Sequence, residues 1–173
     1  MFQKCAIRVV KMSVSRTLDY TYLPSDPDGS PQLVVSLPVS AADPGVLDVL
    51  VAYGDGNGAT EDSPIVLQVN EGDGSIVDDT TQVFGSQPGA LPNPRNVTLL
   101  PGGAGQTYIV FAEQGLDQGP WPGAIDTLYA WNGSTLVDDN SLLPSSLAYS
   151  HDVSSGNIDA AGDFGLFGQQ HLQ

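Results

Sequence analysis

The chain is poor in positive charge and in cysteine. Five Lys and Arg stand against 20 Asp and Glu in 173 residues, for a formal charge of −15. Lys4, Arg8, Lys11 and Arg16 hold four of those basic positions, and every acid lies from Asp19 onward. The body of the chain is therefore a polyanion, which argues against nucleic acid and anionic membrane as partners. Cys5 is alone, so no intramolecular disulfide can form and the redox compartment is left open. No apolar run is long enough to insert into a bilayer as a helix. Long helices are excluded too, because 20 Gly and 13 Pro interrupt nearly every window. Residues 1–16 show no signal peptide: charges break Ile7-Arg8-Val9-Val10-Lys11 and no small-residue cleavage site follows. That basic head lacks the pattern of the rest and is expected to be disordered, with the fold confined to 17–173.

What is present is a repeat. Residues 45–53, GVLDVLVAY, return at 105–113 as GQTYIVFAE, and the same offset carries Val77-Asp78-Asp79 onto Val137-Asp138-Asp139. A period of about 60 residues marks an array of similar units. Each unit reads as four short strands: 34–37, 48–53, 65–70 and 75–77, then 97–100, 107–113, 126–131 and 135–137. Both first strands end in Leu-Pro, at Leu37-Pro38 and Leu100-Pro101. Both third strands run into Gly/Asn turns of the kind hairpins need. The runs at 48–53 and 107–112 are almost wholly apolar, which suits strands buried on both faces. A third copy opens near Tyr149 and supplies strands at 149–153 and 164–167.

A four-stranded antiparallel unit of this length that cannot bury both faces alone describes a propeller blade. The expected fold is all-β: an incomplete β-propeller of about two and a half blades. Blade 1 covers 33–85, blade 2 covers 96–145, and a truncated blade 3 covers 149–173. Propellers close with roughly four to eight blades. The ring is then completed by further sequence or by self-association over open blade faces.

The third unit, Tyr149-Ser-His-Asp-Val-Ser-Ser-Gly-Asn-Ile-Asp-Ala-Ala-Gly-Asp-Phe-Gly-Leu-Phe167, resembles the VCBS/FG-GAP repeat, the blade of integrin-α-type propellers. The hairpins Asn70-Glu-Gly-Asp-Gly-Ser-Ile-Val-Asp-Asp79 and Asn132-Gly-Ser-Thr-Leu-Val-Asp-Asp139 are similar to the same family's. The resemblance spans residues 30–173. It implies a secreted or surface protein, and calcium held by acids on alternate loop positions. Carried over, the calcium ligands are Asn157 and Asp159, with Asp163 at a place where the family uses a backbone carbonyl. Positions normally acidic are Ala161 and Gly165. The earlier loop keeps Asp48 alone of the acids, and the loop at 100–108 keeps none. The competing reading of Asn157 and Asp159 is a turn bonded to its own backbone.

Trp121, in Gly-Pro-Trp-Pro-Gly, sits in a loop whose matching edge in the first unit carries Tyr53, Asp55 and Asn57. Exposed aromatics beside Asp and Asn hold sugars; alternatively, Trp121 folds onto its own prolines. Other motifs reduce to structure. Gly102-Gly-Ala-Gly-Gln-Thr107 lacks the Lys of a phosphate loop. His151 has no nucleophile elbow to serve. Asp78/Asp79 and Asp138/Asp139 recur at one position of the unit, as turn formers do and a catalytic pair does not.

The expected function is non-catalytic recognition of a protein or glycan through blade-edge loops, with calcium as stiffener. The alternatives are a scaffold fragment of a larger propeller hydrolase or lyase, or an inert truncated repeat product.

Overall fold

The computed structural model describes residues 8–12, 18–22, 30–37, 39, 47–54, 62–73, 75–116, 119–120, 122–157 and 164–170. These are mostly β-structure. The first antiparallel sheet runs β3 (Ser30–Leu37), β4 (Asp48–Gly54), β6 (Ile65–Asn70), β7 (Ile76–Asp78). The second runs β9 (Pro94–Pro101), β10 (Thr107–Glu113), β11 (Thr127–Trp131), β12 (Leu136–Asp138). A hairpin of β13 (Ser150–Asn157) and β14 (Phe164–Gln170) follows. The expected strands recur here with shifts of a few residues at their ends, and β6 and β10 match to the residue, counting 107–113 for β10. Among the described residues the strand order closes no ring.

The stretch expected to be disordered contains a strand. β1 (Arg8–Met12) pairs with β2 (Leu18–Tyr22), setting Val9 and Val10 against Thr21 and Tyr20. β-branched and aromatic residues favour that pairing over the basic charge of the head. Two further strands escaped the sequence pattern because they are two residues each: β5 (Asp62–Ser63) pairs with β8 (Leu91–Pro92). A five-residue helix, α1 (Thr80–Phe84), follows β7 and ends at Gly85, whose φ of 75° is left-handed.

The two sheets are built alike down to single bonds. Leu50 pairs with Leu67 in the first, and Val110 with Leu128 in the second. The third-strand amides Leu67 N and Leu128 N are each taken by a side chain after the fourth strand: Thr80 Oγ1 at 2.8 Å and Asn140 Oδ1 at 2.7 Å. The carbonyls of Leu67 and Leu128 accept from Asp79 N and Asp139 N. Asp78 and Asp138 each accept the amide two residues on, from Thr80 and Asn140. The acidic pairs are therefore turn clasps. The hairpin turns match as well: Asn70 and Asn132 accept from Gly72 N and Ser134 N, while Gly72 and Gly133 supply the positive φ.

The core lies between these sheets. Leu50, Ala52 and Leu67 of the first pack with Ile109, Phe111 and Tyr129 of the second. Burying each of the Leu, Ile and Phe side chains among them contributes about 1.5–3 kcal/mol. Tyr129 also meets Phe111 and Phe84 edge-on, with centroids 6.3 and 5.1 Å apart. The other face of the second sheet, Val110, Ala112 and Leu128, packs on Val153 of β13. Both faces of β4 and β10 are thus buried, as their apolar runs predict. First strands are neighbours: β3 contacts β9, and β9 contacts β13. At the outer side α1 lies between β6 and β12.

Candidate functional site

One edge of the second sheet gathers polar groups. There β10 ends, and β9, β11 and β13 begin. Glu113 closes β10 and is fully buried. Its backbone N–H donates to Asp126 Oδ1 at 2.8 Å, and Asp126 Oδ2 accepts from the Ser150 hydroxyl at 3.1 Å. Gln114, also buried, sends its N–H to the Asn93 carbonyl at 3.2 Å. Its side chain bridges Arg95, which donates to it, and Tyr149, which accepts from it. Asn93, at φ 53°, donates through Nδ2 to the Gly115 carbonyl at 3.1 Å. Asn96 donates to Asp152, and His151 stacks at an angle against Tyr149, centroids 5.1 Å apart.

Close backbone approach holds this edge together. Ala124 and Ala148 exchange paired N–H···O bonds of 2.8 Å, fastening the connection between β10 and β11 to the segment entering β13. The β5–β8 pair makes the corresponding link between the first sheet and the strand entering the second.

The electrostatics are unusual for carboxylates. Burial pushes Glu113 up to about 8, and the Asp126 charge adds to the rise. Thr127 beside it gives partial relief, but neither Glu113 oxygen closes a hydrogen bond among the described residues. Asp126 is also raised by burial, eased by the Glu113 amide and the Ser150 hydroxyl. Tyr129 is pushed up to about 12, by burial first and then by the charges of Asp138 and Glu113. Perturbed acids often mark active sites. Glu113, however, has no exposed surface through which to touch a substrate.

The expected site residues fall as follows. Asp48 is fully buried, and its two oxygens accept the amides of Val39 and Asn70, both at 2.9 Å. It clasps backbone, so a cation would have to compete with those donors. Tyr53 is buried at 2% exposure, in a cluster with Val49 and Val51. That corrects its expected place as an exposed edge aromatic: alternation along β4 puts its ring on the buried face of Val49 and Val51, away from the second sheet. Asn157 ends β13 opposite Phe164. Asp159, Asp163, Trp121, Asp55 and Asn57 lie outside the described residues. Among the described residues, no three His, Cys, Asp or Glu side chains converge as metal ligands would, and no helix is long and apolar enough to cross a membrane.

The sequence pattern passed over Glu113, Gln114 and Asp126. The signal was available: the repeat offset lays Glu113 on Tyr53, placing an acid at an apolar core position. Elsewhere on the surface, Phe84, Pro88, Tyr129 and Asp138 line an open groove of about 250 Å³ between the α1 segment and the second sheet.

The chain matches no protein-family profile, no curated protein and no solved structure.

Proposed function

We propose that the two sheets are successive blades of a β-propeller of the VCBS/FG-GAP type. In this reading the chain is a non-catalytic recognition module of an extracellular or cell-surface protein. The observation that carries it is the direction of stacking. Leu50 faces the second sheet, whereas its equivalent, Val110, faces away from the first and onto β13. A two-sheet sandwich buries one face of each sheet against the other. Here each unit instead presents the same face to its successor, as in a rotational array. Neighbouring first strands and a helix wedged between outer elements suit sheets that splay from an axis.

Recognition falls to the edge carrying the β10–β11 connection and the segment entering β13, with a protein or glycan as partner. Full burial of Glu113 and the repeated, structural acid pairs weigh against catalysis. Calcium at Asn157, Asp159 and Asp163 is proposed as a stiffener of the third unit. Leu142 and Leu147, 58% and 63% exposed, are apolar surface that self-association would cover.

The test is a panel of immobilised glycans and extracellular proteins probed with the purified chain, in calcium and in chelator. Retained binding with the bound molecule recovered intact supports recognition. Cleavage of a bound glycan, or no retention anywhere on the panel, overturns it.

A further inference from the structure

Glu113 occupies the position that Tyr53 holds in the first unit. The pairing with β9 shifts register between Ala112 and Glu113, but the neighbours of Glu113, Thr127 and Tyr129, paired with Phe111 and Ile109, put it on the face packed on the first sheet. Its charge is felt by Tyr129, which lies on that same face. The side chain is fully buried, and neither oxygen closes a hydrogen bond of good geometry among the described residues, although Thr127 lies near enough to ease its charge in part. An ionised carboxylate in such a place is strongly disfavoured; a neutral one is tolerated.

We propose that Glu113 is a proton-gated latch between the two sheets. Protonated, it lets the second sheet close on the first; ionised, it loosens that face.

The groups around it set the response. On its own sheet the ionisable neighbours are Asp126, Tyr129 and, on β9 next to the Pro94 that pairs with Glu113, Arg95, which donates to Gln114. β13, on the sheet's far side, brings His151 and Asp152, with Tyr149 just before it. From the first sheet, β4 carries Asp48 at its opposite end, clasping backbone, and Tyr53 on its other face. β5, which contacts β4, carries Asp62. Arg95 is a cation on the same sheet, but neither Glu113 oxygen takes a hydrogen bond from it, and the elements named from the first sheet bring no cation to that face.

The direction of the effect follows from linkage. Burial raises Glu113 from its ordinary 4.5 to about 8, so the closed state binds the extra proton between those values. Closure is complete below the lower value and is lost as pH rises through the upper one. One proton per opening makes the opening equilibrium grow about tenfold per pH unit across that window, then level off.

Amide hydrogen exchange on the whole chain, corrected for intrinsic rates, tests this from pH 5 to 9.5. We expect protection in β10 and β11 to fall about tenfold per pH unit up to about pH 8 and to plateau above it. Glu113→Gln should abolish the slope. A flat wild-type profile overturns the proposal, and so does a slope that persists in Glu113→Gln. Should that variant not fold, the wild-type profile decides alone: a decline continuing past pH 9 without a plateau overturns it.

Discussion

Asp126 accepts the backbone N–H of Glu113 at 2.8 Å, so a buried acid is fastened in place by a half-buried one. The second oxygen of Asp126 takes the Ser150 hydroxyl, which ties the end of β10 to the start of β13. Replacing Asp126 by Asn keeps an oxygen acceptor for the amide but removes the charge that helps to raise Glu113. Thermal midpoints followed from pH 5 to 9.5 should then show the alkaline loss of stability ending at lower pH, by up to about one unit. An unchanged or higher end point would mean that burial alone sets the Glu113 titration.

Glycine is required at the edge, at Gly115 and Gly123, whereas Gly103 is dispensable. A Cβ on Gly115 would lie 2.5 Å from the Gly123 carbonyl, and one on Gly123 would lie 2.6 Å from the Ala148 oxygen. Both residues have positive φ, 75° and 70°. Gly123→Ala should cost about 2–4 kcal/mol in urea unfolding, through strain and a backbone clash. Gly103→Ala, facing open space, should stay within about 0.5 kcal/mol of wild type.

The matched clasps should cost matched amounts. Thr80→Val deprives the buried Leu67 amide of its acceptor, and Asn140→Leu does the same to Leu128. Each should destabilise by about 1–3 kcal/mol, with Thr80→Ser recovering most of its share. A large cost at one site and none at the other would show that the two sheets are not energetically equivalent.

Asp48 separates structure from metal binding. Asp48→Ala leaves the Val39 and Asn70 amides without that acceptor and should cost about 2–3 kcal/mol. If millimolar calcium raises the thermal midpoint of the wild type, Asp48→Asn should keep that increment. Its loss would return Asp48 to the ligand set.

The repeat offset predicted more of the fold than composition did. Because β4 and β10 are apolar on both faces, their runs could be read without knowing what covers them. The one-residue lag of β7 and β12 behind expectation has a local cause in the turns: Ser75 and Thr135 supply carbonyls to close them, at Glu71 N and Asn132 N. The β5–β8 pair and α1 were not legible, since two residues or a single turn give no period to detect. The polar edge of the second sheet was only partly legible. Tyr53 and Glu113 align in the repeat, yet whether such a residue faces solvent or a neighbouring sheet depends on what stacks against it.

The sequence by itself determined the unit: strand order, turn chemistry and the spacing that makes two sheets alike. These are properties of neighbouring residues, where alternation and Gly/Asn turns act over a few positions. Only the tertiary structure decided how the units meet. Stacking places Leu50 against the next sheet and Val110 against β13, and it buries Glu113 where the first unit buries a tyrosine. A carboxylate's cost is set by the medium around it, and that medium exists only once distant strands have packed.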